Sequence, residues 1–140
     1  VDNKVLISVK TLQYIDGQPE EIELITEGRY YKEGDHFFAE YEESEISGME
    51  GTKTTVKIED DSLIITRRGT TNSSLVFKKG LNHKSLYSTP YGALEVVIKP
   101  RKVLIDVNEA GGNVKLEYRM EASGFESIEN ALELNIKRIN

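Results

Sequence analysis

Apolar side chains recur at every second position along most of this chain, and helical spacing is nearly absent. A chain patterned this way folds into strands with one face toward water and the other toward a shared interior. Val5, Ile7 and Val9 set the pattern. It returns in Ile22 and Leu24 on the way to Tyr30, in Phe37, Ala39 and Tyr41, and in Thr52, Thr54, Val56 and Ile58. Leu63 and Ile65, then Leu75 and Phe77, carry it on. Leu94, Val96 and Ile98 lead up to Pro100, and Val103, Ile105 and Val107 follow it. Val114, Leu116, Tyr118 and Met120 precede a last set, Leu132, Leu134 and Ile136.

Turn chemistry separates these runs: Asp16-Gly17-Gln18-Pro19, Glu33-Gly34-Asp35, Glu59-Asp60-Asp61 and Glu109 to Asn113. Gly28, inside the second run, predicts a bend or bulge. Pro100 predicts a break between two strands. Residues 123–131 read as a turn followed by a strand, rather than the short helix that Ser127 could cap. About ten strands at short spacing imply a barrel or a sandwich. Closure removes the exposed edges that so many strands otherwise leave, which favours the barrel. The expectation is an all-β, antiparallel barrel of about eight to ten strands, with residues 1–140 forming a single domain.

Composition narrows the function classes. With no cysteine in 140 residues, disulfides, thiolate metal sites and a cysteine nucleophile are excluded. A domain of this length buries roughly 68–70% of its unfolded surface and needs no staples. The longest apolar runs are three residues, such as Leu63-Ile64-Ile65, against about 20 for a membrane helix. No membrane association is expected and the cytoplasm is the default location, although the start at Val1 leaves a removed leader open. The net charge of −6 is spread unevenly: −9 over residues 1–52, +6 over 53–102 and −3 over 103–140. The acidic total argues against general nucleic-acid binding. The basic middle either pairs with acidic strands across the sheet or offers a local anion site.

Motifs for chemistry are sparse. Gly48-Met49-Glu50-Gly51-Thr52-Lys53-Thr54 faintly resembles a phosphate loop, but Thr52 separates the last glycine from the lysine and a strand follows. His36 and His83 lie far apart, and Glu40, Glu42, Glu43 and Glu45 read as a solvated strand face rather than a cation site. No nucleophile elbow or catalytic constellation is recognisable. Neither metal nor cofactor is expected.

The informative positions are polar residues on apolar faces. Arg67 continues the face of Leu63 and Ile65, Tyr41 that of Phe37 and Ala39, and Thr54 that of Val56 and Ile58, while Tyr118 stands between Leu116 and Met120. If these faces turn inward, a guanidinium, two phenols and a hydroxyl enter the interior. A buried arginine must be paired, and Glu43, on the Tyr41 face, is its natural partner. Tyr87-Ser88-Thr89-Pro90-Tyr91-Gly92 adds two tyrosines on a constrained turn, able to close the barrel or to meet a ligand or partner.

Tyr41-Glu42-Glu43, Gly51 with Thr54 to Ile58, Ile65-Thr66-Arg67-Arg68-Gly69, Phe77 with Gly80, and Tyr87 to Gly92 together resemble the YwiB-like family. Gly112 to Tyr118 and Leu132 to Ile136 fit its later strands. The resemblance implies a calycin-like β-barrel in a bacterial, cytoplasmic setting, and brings no catalytic residues. The chain has no tryptophan and so lacks the Gly-x-Trp signature of lipocalins.

Two functions follow as expectations. In the first, a small anionic or amphipathic ligand binds in or at the mouth of the barrel through Arg67, Tyr41, Tyr118, Thr54, Glu43, Tyr87 and Tyr91. In the second, a filled barrel docks a protein or RNA on a surface patch around Lys78, Lys79, Lys84, Arg101 and Lys102.

Overall fold

A computed structural model describes residues 3–15 and 17–139. Val1 and Asp16, on which two of the expectations above fall, lie outside the described residues. Ten antiparallel strands form one sheet: β1 (Lys4–Ile15), β2 (Gln18–Glu33), β3 (His36–Glu42), β4 (Lys53–Ile58), β5 (Ser62–Arg68), β6 (Ser73–Lys78), β7 (His83–Thr89), β8 (Gly92–Asn108), β9 (Gly111–Ala122) and β10 (Ile128–Arg138). The strands run in the order β6-β5-β4-β3-β2-β1-β10-β9-β8-β7. The outermost two, β6 and β7, come together and nearly close the barrel.

That seam differs from every other strand pair. Asn72 and Ser88 exchange two backbone hydrogen bonds, of 2.8 and 2.9 Å, and Leu81 N–H donates to Lys78 C=O at 3.0 Å. Between these points side chains span it: the Ser85 hydroxyl donates to the Ser74 carbonyl at 2.8 Å, and His83 Nε2 approaches the same oxygen at 3.3 Å.

The alternation read from the sequence becomes the inside of the barrel. Val5, Ile7, Tyr30, Ala39, Leu63, Ile98 and Val114 are completely buried. Each large aliphatic side chain removed from water in this way contributes roughly 1.5–3 kcal/mol. Two expectations about backbone breaks need correction. The β1–β2 register runs past Gly28 without a shift, so there is no bulge against β1, while the β2–β3 pairing begins only at Arg29. The glycine provides space instead, because a Cβ would lie 2.3 Å from the Glu40 carbonyl oxygen and 2.5 Å from Ile7. Pro100 does not end a strand either. β8 continues through it for 17 residues, with a register shift between Pro100 and Lys102. The extra residue turns the set packed on the core from Leu94, Val96 and Ile98 to the partly buried Val103, Ile105 and Val107, and so accounts for the change from even to odd positions.

Cross-strand pairing accounts for part of the uneven charge. Lys53 lies 3.4 Å from Glu40, Lys99 2.8 Å from Glu121, and Lys102 3.3 Å from Glu117. Lys78, Lys84 and Arg101 also have carboxylate partners, Asp61, Glu95 and Glu129. Pairs this exposed contribute about 0–1 kcal/mol each and act mainly on register. Among the described residues no helix is long and apolar enough to cross a membrane.

Candidate functional site

Because neighbouring strands are antiparallel, the turns fall at two ends. One end carries the β2–β3, β4–β5, β6–β7 and β8–β9 turns, and Tyr30 fills much of its interior, leaving a smaller pocket of about 200 Å³ beside Phe37, Ile58 and Ile105. Tyr30 stacks on Phe37 with ring centroids 5.4 Å apart, and its hydroxyl donates to the Asn108 carbonyl at 2.7 Å. Arg138 lies over the Tyr30 ring and donates to the carbonyls of Tyr30 and Glu109. The other end carries the β1–β2, β5–β6, β7–β8 and β9–β10 turns and residues 43–52, and here the interior becomes polar and opens.

Register builds the polar cluster. Tyr41 of β3, Thr54 of β4, Arg67 of β5 and Ser73 of β6 are directly opposite one another in successive strands. A second row, Gln13, Asn130 and Tyr118, crosses β1, β10 and β9, with Gln13 donating to the Asn130 side chain at 2.9 Å. A cavity of about 330 Å³ lies between the rows. Arg67, Tyr87, Tyr118 and Gln13 line its polar side, and Leu75, Leu94, Val96 and Leu132 its apolar side. Both methionines of the chain, Met49 and Met120, line it too.

Glu43 lies behind Arg67, its side chain only 2% exposed and its Oε2 3.7 Å from Arg67 Nε. Thr54 donates a short hydrogen bond to the same carboxylate oxygen, and the Tyr41 phenol is close enough to feel the charge of this carboxylate. Burial, then the adjacent Glu43, push the Tyr41 pKa above the ordinary phenol value, so its hydroxyl stays a donor. Burial also raises Tyr118, although Arg67 pulls the other way. For Arg67, burial acts to lower the pKa. Tyr41, Tyr87, Glu43 and Tyr118 outweigh it and move the value upward, so the guanidinium remains charged.

Donor capacity is left over. Arg67 Nε is buried without a hydrogen-bond partner, and so is the Ser73 hydroxyl opposite it. The Tyr118 ring packs edge-on against Phe77 at 4.8 Å, while its hydroxyl meets no protein acceptor among the described residues. Tyr87 has only a long contact, 3.5 Å, to the Met49 sulfur. Buried polar groups are normally satisfied, and each exception asks for a reason.

Residues 43–52 hold the rim. Ser44 caps a single 3-10 turn, Glu45–Ser47, which ends on Gly48 at φ 75°. Thr70 then ties the segment down through the Glu50 carbonyl and the Thr52 hydroxyl. This geometry leaves Ser47 and Met49 against the cavity. A three-residue 3-10 turn leading into β4 is not the helix that a phosphate loop requires.

Six of the seven residues singled out from the sequence, Arg67, Glu43, Tyr41, Thr54, Tyr118 and Tyr87, come together at this end. Tyr91 does not. The turn at Pro90 and Gly92 carries it off the tip of the β7–β8 hairpin, where it is fully exposed. Gln13, Ser73 and Asn130 join the cluster without having been expected there, although extending the alternation from Val9, Leu75 and Leu132 reaches all three. No periodic signal reaches Met49, which lies in a loop.

Comparison with known proteins gives three findings. The family model described as "Domain of unknown function (DUF1934)" matches residues 7–134. The uncharacterized beta-barrel protein YwiB of Bacillus subtilis (strain 168) is 27% identical over 120 residues, which cover 85% of this chain and 82% of that protein. The crystal structure of the ywiB protein from Bacillus subtilis aligns with a TM-score of 0.88 at 22% identity, over 99% of this chain and 93% of that one. At this identity the likeness speaks for the fold alone.

Proposed function

This chain belongs to the DUF1934 family of uncharacterised β-barrel proteins, and we propose that it binds a small amphipathic ligand in the open end of its barrel. The observation that carries this reading is Arg67, a largely buried cation at the wall of a 330 Å³ cavity whose guanidinium makes no hydrogen bond among the described residues, its contact with Glu43 being an ion pair at 3.7 Å. A guanidinium removed from water and short of acceptors is costly. A ligand bearing acceptor oxygens relieves that cost. Tyr118 and Tyr87 add two more hydroxyl donors, so the polar wall offers donors and asks for an acceptor. Opposite it, Leu75, Leu94, Val96 and Leu132 suit an apolar tail. The volume is at the lower end of the roughly 300–1,000 Å³ typical of small-molecule sites, which restricts the ligand to a compact one.

Native mass spectrometry of protein purified without denaturation tests this reading. The wild-type chain is expected to carry a small-molecule adduct that Arg67→Met combined with Glu43→Gln loses, with unchanged far-UV circular dichroism. Bare wild-type protein, together with a crystal structure in which Arg67 grips Glu43 through two hydrogen bonds and the cavity is closed, would remove the basis of the proposal.

A further inference from the structure

Glu43 determines how much negative charge the cavity accepts. Its carboxylate is behind Arg67, does not line the cavity, and is held by Thr54. A head group in the cavity therefore meets a cation that is already paired from the far side. Coulomb attraction falls as the inverse of distance. With Glu43 about twice as far from the head group as the guanidinium, roughly half of the attraction for the first negative charge survives. A second charge on the same head group finds no further cation, since Arg67 is the one charged residue lining the cavity among the described residues. The remaining donors are neutral hydroxyls. Tyr87 and Tyr118 bring theirs to the cavity wall, and the Tyr118 hydroxyl makes no protein hydrogen bond among the described residues. A planar guanidinium with hydroxyls beside it matches a carboxylate in shape as well as charge.

Building on the binding role proposed above, we infer that the ligand carries a single carboxylate on a compact apolar tail, and that Glu43 is the specificity-determining residue that turns away dianionic heads such as phosphate monoesters. Glu43→Gln isolates the effect, because the amide keeps the size of the side chain and an acceptor oxygen for Thr54.

Calorimetric titration with hexanoate, hexyl phosphate and hexan-1-ol tests the inference on matched tails. Wild-type protein is expected to bind hexanoate about 10-fold more tightly than either of the others, the equivalent of one well-placed charged hydrogen bond. In Glu43→Gln, hexanoate affinity rises about 10-fold, hexyl phosphate gains more than hexanoate does, and hexan-1-ol is unchanged. Tyr118→Phe, which removes a cavity-lining hydroxyl with no protein acceptor, leaves the fold intact and weakens hexanoate several-fold, more than it weakens the alcohol. An unchanged carboxylate-to-phosphate ratio in Glu43→Gln overturns the selectivity role. Equal affinity for hexanoate and hexan-1-ol overturns the carboxylate assignment while leaving a binding cavity in place. If none of the three probes binds either protein, the binding reading itself falls and this inference with it.

Discussion

Each end of the barrel carries an arginine close to tyrosine, and the two are used in opposite ways. Arg138, at the filled end, lies 5.1 Å from the Tyr30 ring centroid and makes three hydrogen bonds to main-chain carbonyls. Arg67, at the open end, has one 3.7 Å ion pair and a buried Nε that bonds to nothing. A saturated guanidinium is a structural clamp. An unsaturated one beside a cavity is held ready for something the chain does not itself supply. The same barrel thus has one inward arginine spent on the fold and one held in reserve.

Matched substitutions test that contrast, and the largest effect belongs to the core. Leu63 and Leu75 are on neighbouring strands. Leu63 is opposite Phe77 toward the filled end, whereas Leu75 lines the cavity. Leu63→Ala is expected to cost in the upper half of about 2–5 kcal/mol, because a dry, packed site cannot collapse around the loss. Leu75→Ala should fall near the bottom of that range, since its surroundings are already open. Urea denaturation measures both, and equal costs would show that the open end is packed as tightly as the other.

Next in size is the ion pair. Arg67→Met alone leaves Glu43 buried without its cation and is expected to cost about 3 kcal/mol. Adding Glu43→Gln removes the stranded charge, and the double variant should recover to within about 1 kcal/mol of wild type. A double variant as unstable as the single one would assign Arg67 to the framework, as Arg138 is.

The smallest difference is between two hydroxyls. Tyr30→Phe strands the Asn108 carbonyl and should cost about 1–1.5 kcal/mol. Tyr87→Phe gives up a weak contact to sulfur and should leave thermal stability nearly unchanged. A comparable loss at Tyr87 would mean that the rim is part of the stability framework.

Much of the cluster is legible in the amino-acid order. Arg67, Tyr41 and Thr54 are on the buried parity of their strands, and parity is a local property of pleated backbone. The same rule reaches Gln13, Ser73 and Asn130 when each run is extended by a few steps. The change from even to odd positions across Pro100 marks the bulge in β8, yet proline is so rare inside paired strands that the same residues predict a break. Tyr91 escapes the rule for a related reason: the side-chain direction of a turn residue is set by the turn and not by alternation.

Alternation is enough to specify about ten strands, the buried face of each, and the polar residues that share that face, because a period of two needs only neighbouring residues to be expressed. It does not specify that β6 and β7 meet, that Arg67, Tyr87 and Tyr118 converge at one end, or that their donors remain unspent. Those outcomes depend on how the register of ten strands adds up around a nearly closed sheet and on how much volume the inward side chains leave unfilled. No single stretch of the chain encodes either sum.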